Sequence, residues 1–452
     1  ISQKLELDEI PPPFSSGSFF FFLHFTKLLI FEKIIDLGSR LHSISQDKFL
    51  GRFVLNRPRL LILDAHTSAG LACIRSLGQN SFEIHAASYR KCAHGLYSRF
   101  VLKRFLYPNP EENIPSFIEW LLAQMKQYAY TLVFPMTEAT LLSIAQYRHQ
   151  LPAFASRTIP SETAIYYTFN KKNTLALAHT CGISVPQSFS ILALSQLQDL
   201  PLKFPVVLKE PCTGNIHAGK VRSGRGVFYP ATPDALKKRL ESGLMDGKEF
   251  LIQELLLGFG IGLSLLSTPQ GILAPFAHRR LVEAHPTGSR AVVAERIPVP
   301  EILLPKIELF LQKAQFYGPV MFEFKECHGE WILLEVNGRF WGSLPLALSC
   351  GINFPLLFYQ YLTDQRYTSL ESNKYKQIHY LLGYAEHMIR TFQRKPLGWP
   401  GVFPKPMNAF FGFLQECVSG RPDFSFQADD LFPGWIEIVD RIGYGVQKLL
   451  KQ

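Results

Sequence analysis

Short apolar runs alternate with amphipathic stretches after about residue 57, and this pattern is typical of an α/β protein. The period of the apolar positions predicts strands at residues 59–64, 82–87 and 131–135 and helices at residues 68–77 and 114–128. Strands that alternate with helices in this order predict a small, Rossmann-like α/β sheet domain.

Changes in the pattern divide the chain into four predicted regions. They are an N-terminal extension at 1–56, an α/β domain at 57–159, a part at 160–365 that carries the candidate chemistry, and a C-terminal region at 366–452. The last region contains no catalytic pattern and is predicted to end in a helix over 435–450.

An aromatic segment lies inside the extension, at residues 18–41. His24 and Lys27 interrupt it, so it is too short and too polar for a spanning helix. Two alternatives remain: a helix at a membrane surface, which would be a peripheral contact, and a helix packed on the protein itself.

Composition narrows the class of protein. A length of 452 residues predicts several globular units, and a net charge of +10 suits an anionic partner. Dense basic runs with interleaved aromatic residues are absent from the sequence, which disfavours nucleic acid as the partner. The seven cysteines include no CxxC pair, as expected of a reduced, cytoplasmic protein.

The first strand-to-helix turn, residues 64–70, lacks the GxGxxG spacing that lets the backbone approach a pyrophosphate. We therefore predict no dinucleotide site there.

Carboxylates stand on both strands of a predicted hairpin over residues 320–343. With a three-residue loop at 328–330, Glu323 lies directly across from Glu335. Alternation along the second strand places Glu335, Asn337 and Arg339 on one face, with Leu334 and Val336 packed inward.

Two facing carboxylates repel each other unless a cation lies between them. Carboxylate and amide oxygens suit Mg²⁺, which takes its other ligands from water and substrate phosphates. Glu323, Glu335 and Asn337 are therefore candidate metal ligands, and Arg339 is a candidate phosphate contact. The alternative is a hairpin whose polar face meets water.

This hairpin, with the motifs upstream of it, resembles the ATP-grasp superfamily, and in particular its carbamoyl-phosphate-synthase-like branch. The resemblance covers about residues 57–361 and implies a pre-ATP-grasp domain at 57–159, followed by a two-lobed α+β ATP-grasp domain with lobes at 160–250 and 251–365. In that superfamily two acidic residues and an asparagine hold two magnesium ions, for which Mn²⁺ is an alternative, and an arginine binds phosphate. Carbamoyl phosphate synthesis itself is disfavoured, since that large subunit carries two such modules and this chain has one.

Two lysines match the family's phosphate contacts. Lys171 follows Asn170, which replaces the family's usual aspartate, and Lys209 ends an apolar strand at 204–209. The loop that follows contains Gly214 and Gly219, and the resemblance implies that it closes over the triphosphate. Alternatives from the residues alone are a surface lysine and a flexible hairpin tip.

The stretch 249–258 resembles the hinge that binds adenine, with Gln253, Glu254 and Leu256 bordering the base. A glycine-rich run at 258–262 stands where other members place a ribose-binding acid. Beyond it, either Arg279 or Arg280, together with Arg290, is a candidate contact for the substrate or the acyl phosphate, with surface ion pairing as the alternative.

The resemblance implies an ATP-dependent ligase that joins a small-molecule carboxylate to an amine or similar nucleophile. Its assigned catalytic residues are Arg280, Arg290 and Arg339. A non-catalytic ATP-binding regulator is the alternative function. Dimers are common in folds of this type, but the sequence does not fix the oligomeric state.

Overall fold

The computed structural model describes residues 57–198, 200–212, 214–217, 219–223, 226–244, 249–367, 375–393, 395–396 and 399–450. The predicted extension at 1–56, with its aromatic segment, lies outside the described residues. None of the helices within these ranges has the length and apolar character needed to cross a bilayer.

The first part of the chain forms a parallel four-stranded sheet in the order β3-β2-β1-β4. Its strands are β1 (Arg59–Ile62), β2 (Glu83–Ser88), β3 (Val101–Leu106) and β4 (Leu132–Phe134). The helices are α1 (Ser68–Gln79), α2 (Ile114–Gln127), α3 (Glu138–Gln146) and α4 (Ala153–Ser156). The predicted strands and helices of this part are confirmed, and β3 was not predicted because its middle residues are polar or exposed.

Asp64 fixes the carboxyl edge of this sheet. The carboxylate is almost fully buried and accepts hydrogen bonds from the backbone N–H groups of Met136 and Thr137 and from the hydroxyls of Tyr107 and Thr140. It therefore ties the end of β1 to the start of α3, which sets the position of Glu138 at the beginning of that helix.

A smaller antiparallel sheet follows, in the order β5-β9-β6, with a separate hairpin β7-β8. Its elements are α5 (Glu162–Thr168), α6 (Lys171–Thr180), β5 (Ser188–Ile191), β6 (Val206–Lys209), β7 (Gly214–His217), β8 (Lys220–Ser223), α7 (Pro233–Leu244) and β9 (Phe250–Glu254).

The largest sheet has six antiparallel strands in the order β14-β13-β10-β11-β12-β15. They are β10 (Phe259–Thr268), β11 (Gly271–Glu283), β12 (Ala291–Ile297), β13 (Gly318–Cys327), β14 (Glu330–Asn337) and β15 (Gln377–His379). The helices are α8 (Leu304–Lys313), α9 (Leu344–Ser349), α10 (Phe354–Leu362), α11 (Leu381–Thr391), α12 (Pro406–Cys417) and α13 (Phe432–Leu450). The predicted C-terminal helix is confirmed by α13.

The two faces of this sheet differ in chemistry. Phe322 and Phe324 of β13 pack with Ile307 and Phe310 of α8 in an apolar core. Glu323, between the two phenylalanines, points to the opposite face, since side chains alternate along a strand. The core thereby orients the polar face on which the candidate site lies.

The C-terminal region adds β15 to this sheet and also contacts the first domain. Arg75 of α1 is 3% exposed and donates to the carboxylate of Asp430 at 2.8 Å and to the carbonyls of Phe424 and Ser425. The hydroxyl of Ser98 donates to the same carboxylate. A fully buried ion pair therefore joins the beginning and the end of the described chain.

Candidate active site

The hairpin β13–β14 places two carboxylates side by side. Glu323 and Glu335 are directly paired across the two strands, as predicted. The predicted three-residue loop is wrong: the turn has two residues, His328 and Gly329, with φ of 52° and 83°, as in a type I′ hairpin.

A β-bulge supplies the one-residue offset that the longer loop was expected to give. Phe324 pairs with Leu333, whereas Glu323 pairs with Glu335, so that Leu334 is the extra residue. Leu333 and Val336 are buried, while Leu334, which was expected to pack inward, is only half-buried. The bulge therefore corrects the register without a longer turn.

Each carboxylate of the pair has a cationic partner. Lys171 Nζ lies 3.1 Å from Glu335 Oε2, and Arg280 Nη2 lies 2.6 Å from Glu323 Oε2. Asn337 Nδ2 donates to Glu323 Oε1 at 3.0 Å. Five of the predicted site residues therefore form one cluster of charged and amide groups.

Burial and charge act in opposite directions on this cluster. Burial raises the pKa of Glu335, but the charges of Lys171 and Lys209 outweigh it and hold that pKa down to about 2. Burial lowers the pKa of Lys171, and the attraction of Glu335 reverses this and raises it. At neutral pH the carboxylate and the Lys171 ammonium are both charged.

Lys209 differs from Lys171. Burial lowers its pKa to about 8, because the attraction of Glu335 does not compensate for the lost hydration. The amine makes no hydrogen bond or ion pair with any other residue that the structure describes. It is a buried cation that lacks an anionic partner of its own.

Local structure explains how the two lysines reach the cluster. Asn170 caps α6, since its side-chain oxygen accepts hydrogen bonds from the N–H groups of Lys172 and Asn173. The N–H of Lys171 donates to the carbonyl of Pro211, just beyond β6. The asparagine that replaces the family's usual aspartate thus acts as a helix cap beside the site.

The arginine pair at 279 and 280 is divided between two directions. Arg280 contacts Glu323 and also lies 3.6 Å from Glu283, whereas Arg279 pairs with Glu326 at 2.9 Å. Burial lowers the pKa of Arg280, but the charges of Glu323 and Glu283 raise that pKa by more than burial lowers it. The guanidinium is therefore charged at every relevant pH. Arg280 is therefore the one of the two that belongs to the site.

The glycine run at 258–262 has a steric explanation. A β-carbon on Gly258 would lie 1.9 Å from the Glu326 carbonyl oxygen, and one on Gly262 would lie 2.2 Å from the ring of His278. One on Gly260 would lie 2.9 Å from Arg280 Cδ. Gly260 and Gly262 make room for side chains of β11 that border the site, and Gly258 makes room for the backbone of β13.

His278 was not predicted. It is fully buried, its Nε2 lies 3.1 Å from Ser343 Oγ, and burial together with the charge of Arg280 lowers its pKa to about 3. A neutral imidazole therefore holds the hydroxyl of Ser343, which lines the cavity beside the carboxylates.

A cavity of about 340 Å³ opens beside the cluster. Its lining includes the predicted residues Arg280, Arg290, Glu323 and Glu335, together with Tyr380 and Phe424 of the C-terminal region. The aromatic rings of Tyr380 and Phe424 stack with centroids 5.5 Å apart. The sequence offered no motif that could assign these two residues to the site.

A network of ion pairs connects Arg290 and Tyr380, which line the cavity, to helix α13. Arg290 pairs with Glu386, which lies 3.2 Å from Arg441 Nη1. Arg441 Nε in turn lies 3.1 Å from Glu437, whose carboxylate accepts a hydrogen bond from the hydroxyl of Tyr380. Residues of α11 and α13 therefore position Arg290 and Tyr380.

Arg339 lies past the end of β14, so the predicted common face ends at Asn337. Its guanidinium lies 3.4 Å from Glu138 and lines a neighbouring cavity of about 440 Å³ with His66 and Thr67. Ser68 and Gly342 line both cavities. The predicted phosphate contact therefore lies at a boundary between the two spaces, beside an acidic residue that sequence reasoning did not assign to the site.

The glycine loop is held by backbone contacts. The Gly219 carbonyl accepts the N–H of Ile114 at 2.9 Å, and Gly214 begins β7 opposite Ser223. Gly219 has φ of 72°, which glycine adopts without strain. The β7–β8 hairpin thus rests against the start of α2.

In the hinge, Gln253 is buried and donates to Ser188 Oγ at 2.7 Å. The Glu254 carboxylate accepts a hydrogen bond from the N–H of Gln187 at 2.8 Å, and the half-buried Leu256 lies in the loop that follows β9. These contacts fasten β9 to β5. Contact with a nucleotide remains a prediction for the glycines and the hinge alike.

The donor set of the hairpin suits a hard divalent cation, since Glu323 and Glu335 are paired across the two strands and the amide of Asn337 is hydrogen-bonded to Glu323. The described residues contain no group of three or more His, Cys, Asp or Glu side chains that could hold a metal ion, and the hairpin itself offers two carboxylates and one amide. Glu323, Glu335 and Asn337 therefore remain the candidate ligands for Mg²⁺.

Comparison with known families gives a match over residues 249–383, to the family described as ATP-grasp in the biosynthetic pathway with Ter operon. This range contains the hinge, the arginines and the carboxylate hairpin, but not Lys171 or Lys209. Comparison with the curated proteins finds no match.

Three solved structures illustrate the similarity of fold. An L-amino acid ligase from Bacillus licheniformis is 16% identical, with 71% of this chain and 77% of that chain covered and a TM-score of 0.51. An N5-carboxyaminoimidazole synthetase from Staphylococcus aureus, complexed with ADP, is 12% identical, with 69% and 79% covered and a TM-score of 0.52. A biotin carboxylase from Campylobacter jejuni, in a β,γ-ATP complex, is 13% identical, with 69% and 73% covered and a TM-score of 0.53.

Identities this low show the fold alone, while the family match identifies the segment that carries the paired carboxylates. The narrower carbamoyl-phosphate-synthase-like branch stays a prediction. Over residues 249–383 the chain therefore matches the ATP-grasp family, and its fold is similar to that of the three solved structures.

Proposed function

We propose that this protein is an ATP-dependent ligase that phosphorylates a small-molecule carboxylate and couples the acyl phosphate to an amine or similar nucleophile. One observation carries the proposal: the Glu323–Glu335 pair, with Lys171, Arg280 and Asn337 bound to it, lies at a cavity that also contains Arg290. Cations and hard oxygen donors are thus concentrated where a phosphorylated intermediate would form.

A carboxylate does not react with an amine at neutral pH, because its oxygen is a poor leaving group. In the proposed reaction a substrate carboxylate oxygen attacks the γ-phosphorus of ATP, the bond to the ADP oxygen breaks, and ADP leaves. The nucleophile then attacks the acyl carbon, inorganic phosphate leaves, and the nucleophile's proton passes to solvent.

Phosphoryl transfer depends mainly on positioning and on stabilising charge at the phosphate oxygens. Lys171 and Lys209 supply ammonium groups beside the carboxylate pair, and Arg280 and Arg290 supply planar forks that suit a carboxylate or an acyl phosphate. Glu323, Glu335 and Asn337 would hold Mg²⁺, which neutralises charge on the phosphates when bound.

Lys209 offers an independent argument for an anionic ligand. A buried ammonium without its own counter-ion is costly to the folded protein, and a phosphate oxygen would supply the missing partner. Binding of a polyanion such as ATP would offset this cost to the stability of the folded protein.

ADP release from ATP in the presence of magnesium tests the proposal, with pooled carboxylates and amines as substrates. Since a similar fold belongs to an L-amino acid ligase, amino acids are the first pool. We expect substrate-dependent ADP release, and we expect Glu335→Gln to lower it by about a hundredfold or more. Glu330→Gln, on the same strand but exposed, should leave the rate unchanged and is the matched control.

Equal rates in the two variants would overturn the assignment of the carboxylate pair. Tight, magnesium-dependent ATP binding without release from any pool would instead favour an ATP-binding regulator. Absence of ATP binding would contradict both functions.

A further inference from the structure

Helix α12 exposes an apolar stripe. Met407, Phe410, Phe411, Leu414 and Val418 recur at the spacing of one helical face, and their exposed fractions range from 41% to 84%. Large apolar side chains are seldom grouped in this way on a surface that faces only water.

The opposite side of α12 already packs on the protein. Ala409 is buried, Phe413 packs against Tyr384 of α11, and a β-carbon on Gly412 would meet the Tyr384 hydroxyl. The orientation of α12 is therefore fixed by its inner face, and the apolar stripe on its outer face is not part of the protein's own core.

The neighbouring end of α11 and the segment that follows it add to the apolar surface. Ile389 is 62% exposed, Phe392 is 72% exposed and Val402 is 87% exposed. We refer to the exposed apolar residues of α11, α12 and their connection as the α11–α12 surface: Ile389, Phe392, Val402, Met407, Phe410, Phe411, Leu414 and Val418.

Basic residues outnumber acidic ones along this part of the chain, and of the described ones Arg390 is paired with Glu386 of the same helix. The sequence between residues 388 and 422 contains the basic residues Arg390, Arg394, Lys395, Lys405 and Arg421. Its acidic residue, Glu416, is buried and already bound to His379 and Arg421. The exposed apolar side chains are thus accompanied by cations, and Lys395 and Lys405 are themselves exposed.

We propose that the α11–α12 surface binds an anionic lipid bilayer, with α12 lying in the plane of the interface. Apolar side chains on one face and basic residues beside them are the two features by which amphipathic helices bind anionic membranes. A second copy of the chain is a poorer occupant, because pairing two such surfaces would bring like charges together.

Flotation of the full-length protein with lipid vesicles tests the proposal. Vesicles of phosphatidylcholine alone are compared with vesicles that contain about 30% phosphatidylglycerol. We expect binding to the anionic vesicles, weakened by high salt because screening reduces attraction to the surface charge.

The decisive variant is Phe410→Ser combined with Phe411→Ser, and it should lower the vesicle affinity by about tenfold or more. Ile302→Ser is the matched control, since Ile302 is 79% exposed on a short turn outside this surface and its replacement should leave binding unchanged. Circular dichroism of the variants verifies that they fold. We expect no loss of structure, because the replaced side chains are exposed.

Undiminished binding of the double variant would overturn the assignment and would point to another segment, such as the aromatic residues 18–41, which the variant retains. Failure of the wild-type protein to bind anionic vesicles would contradict the proposal. A dimer that the double variant abolishes, without vesicle binding, would also contradict it and would make this surface an interface between copies.

Discussion

Replacement of Lys209 by methionine should make the protein more stable and its nucleotide binding weaker. Burial lowers the pKa of Lys209 from 10.5 to about 8, and the side chain is 8% exposed. At 1.36 kcal/mol per pKa unit, the folded protein loses roughly 3 kcal/mol by holding this ammonium in its charged form. Methionine fills a similar volume without the charge, so we expect a gain of about that size near neutral pH.

The sign of this effect depends on pH. Below about pH 8 the amine is charged in both the folded and the unfolded protein, and the whole cost is present. Between about pH 8 and pH 10.5 only the unfolded protein keeps the proton, so the cost shrinks as pH rises. The advantage of Lys209→Met should therefore be largest near pH 7 and close to zero above pH 10.5.

Urea denaturation of the wild type and Lys209→Met at about pH 7 and about pH 10 measures this difference in the free energy of unfolding. Lys171→Met is the control of opposite sign: that lysine pairs with Glu335, so its loss should destabilise the protein by about 1–3 kcal/mol at pH 7. Nucleotide titration should show ATP affinity about tenfold lower in Lys209→Met, because a charge-assisted hydrogen bond to phosphate is lost. Destabilisation by Lys209→Met at pH 7 would refute the reasoning.

Two further predictions concern packing around the site. Arg75→Met removes one partner of a buried ion pair, so it should lower the free energy of unfolding, measured by urea denaturation, by about 3–5 kcal/mol. Arg99→Met, at an exposed contact, should change it by less than about 0.5 kcal/mol. Equal effects of the two replacements would contradict the structure. Gly262→Ala should cost about 1–3 kcal/mol, since its β-carbon would meet the His278 ring, and His278→Ala in the same chain should restore part of the loss. Gly342→Ala, where a β-carbon meets nothing within 4 Å, is the control, and an equal cost there would contradict the steric argument.

Local patterns were sufficient for most of the strands and for the pairing of the two carboxylates. Apolar periodicity identifies a buried strand directly, as for β1 and β6, because the period follows from backbone geometry. The pairing of Glu323 with Glu335 was confirmed, but a two-residue turn and a β-bulge at Leu334 produce it, where a three-residue loop had been predicted. Sequence alone does not distinguish a longer turn from a bulge at Leu334, since both shift the register by one residue.

Residues joined only by the fold could not be predicted. The choice of Arg280 over Arg279 depends on which of the two side chains lies on the same face of the sheet as Glu323, and their adjacent positions are compatible with either. Tyr380 and Phe424 reach the cavity because the C-terminal region adds a strand to the large sheet, and neither stands in a recognisable motif. Contacts between distant parts of a chain leave little trace in local composition.

The buried pair of Arg75 and Asp430 also has a consequence for synthesis of the chain. Its partners are 355 residues apart in sequence. At about 5–20 residues per second, the ribosome adds the second partner roughly 20–70 s after the first. During that interval the nascent first domain cannot complete the environment of α1, and a guanidinium destined for the interior stays in water. The buried environment of Arg75 on α1 can therefore be completed only after Asp430 has emerged from the ribosome.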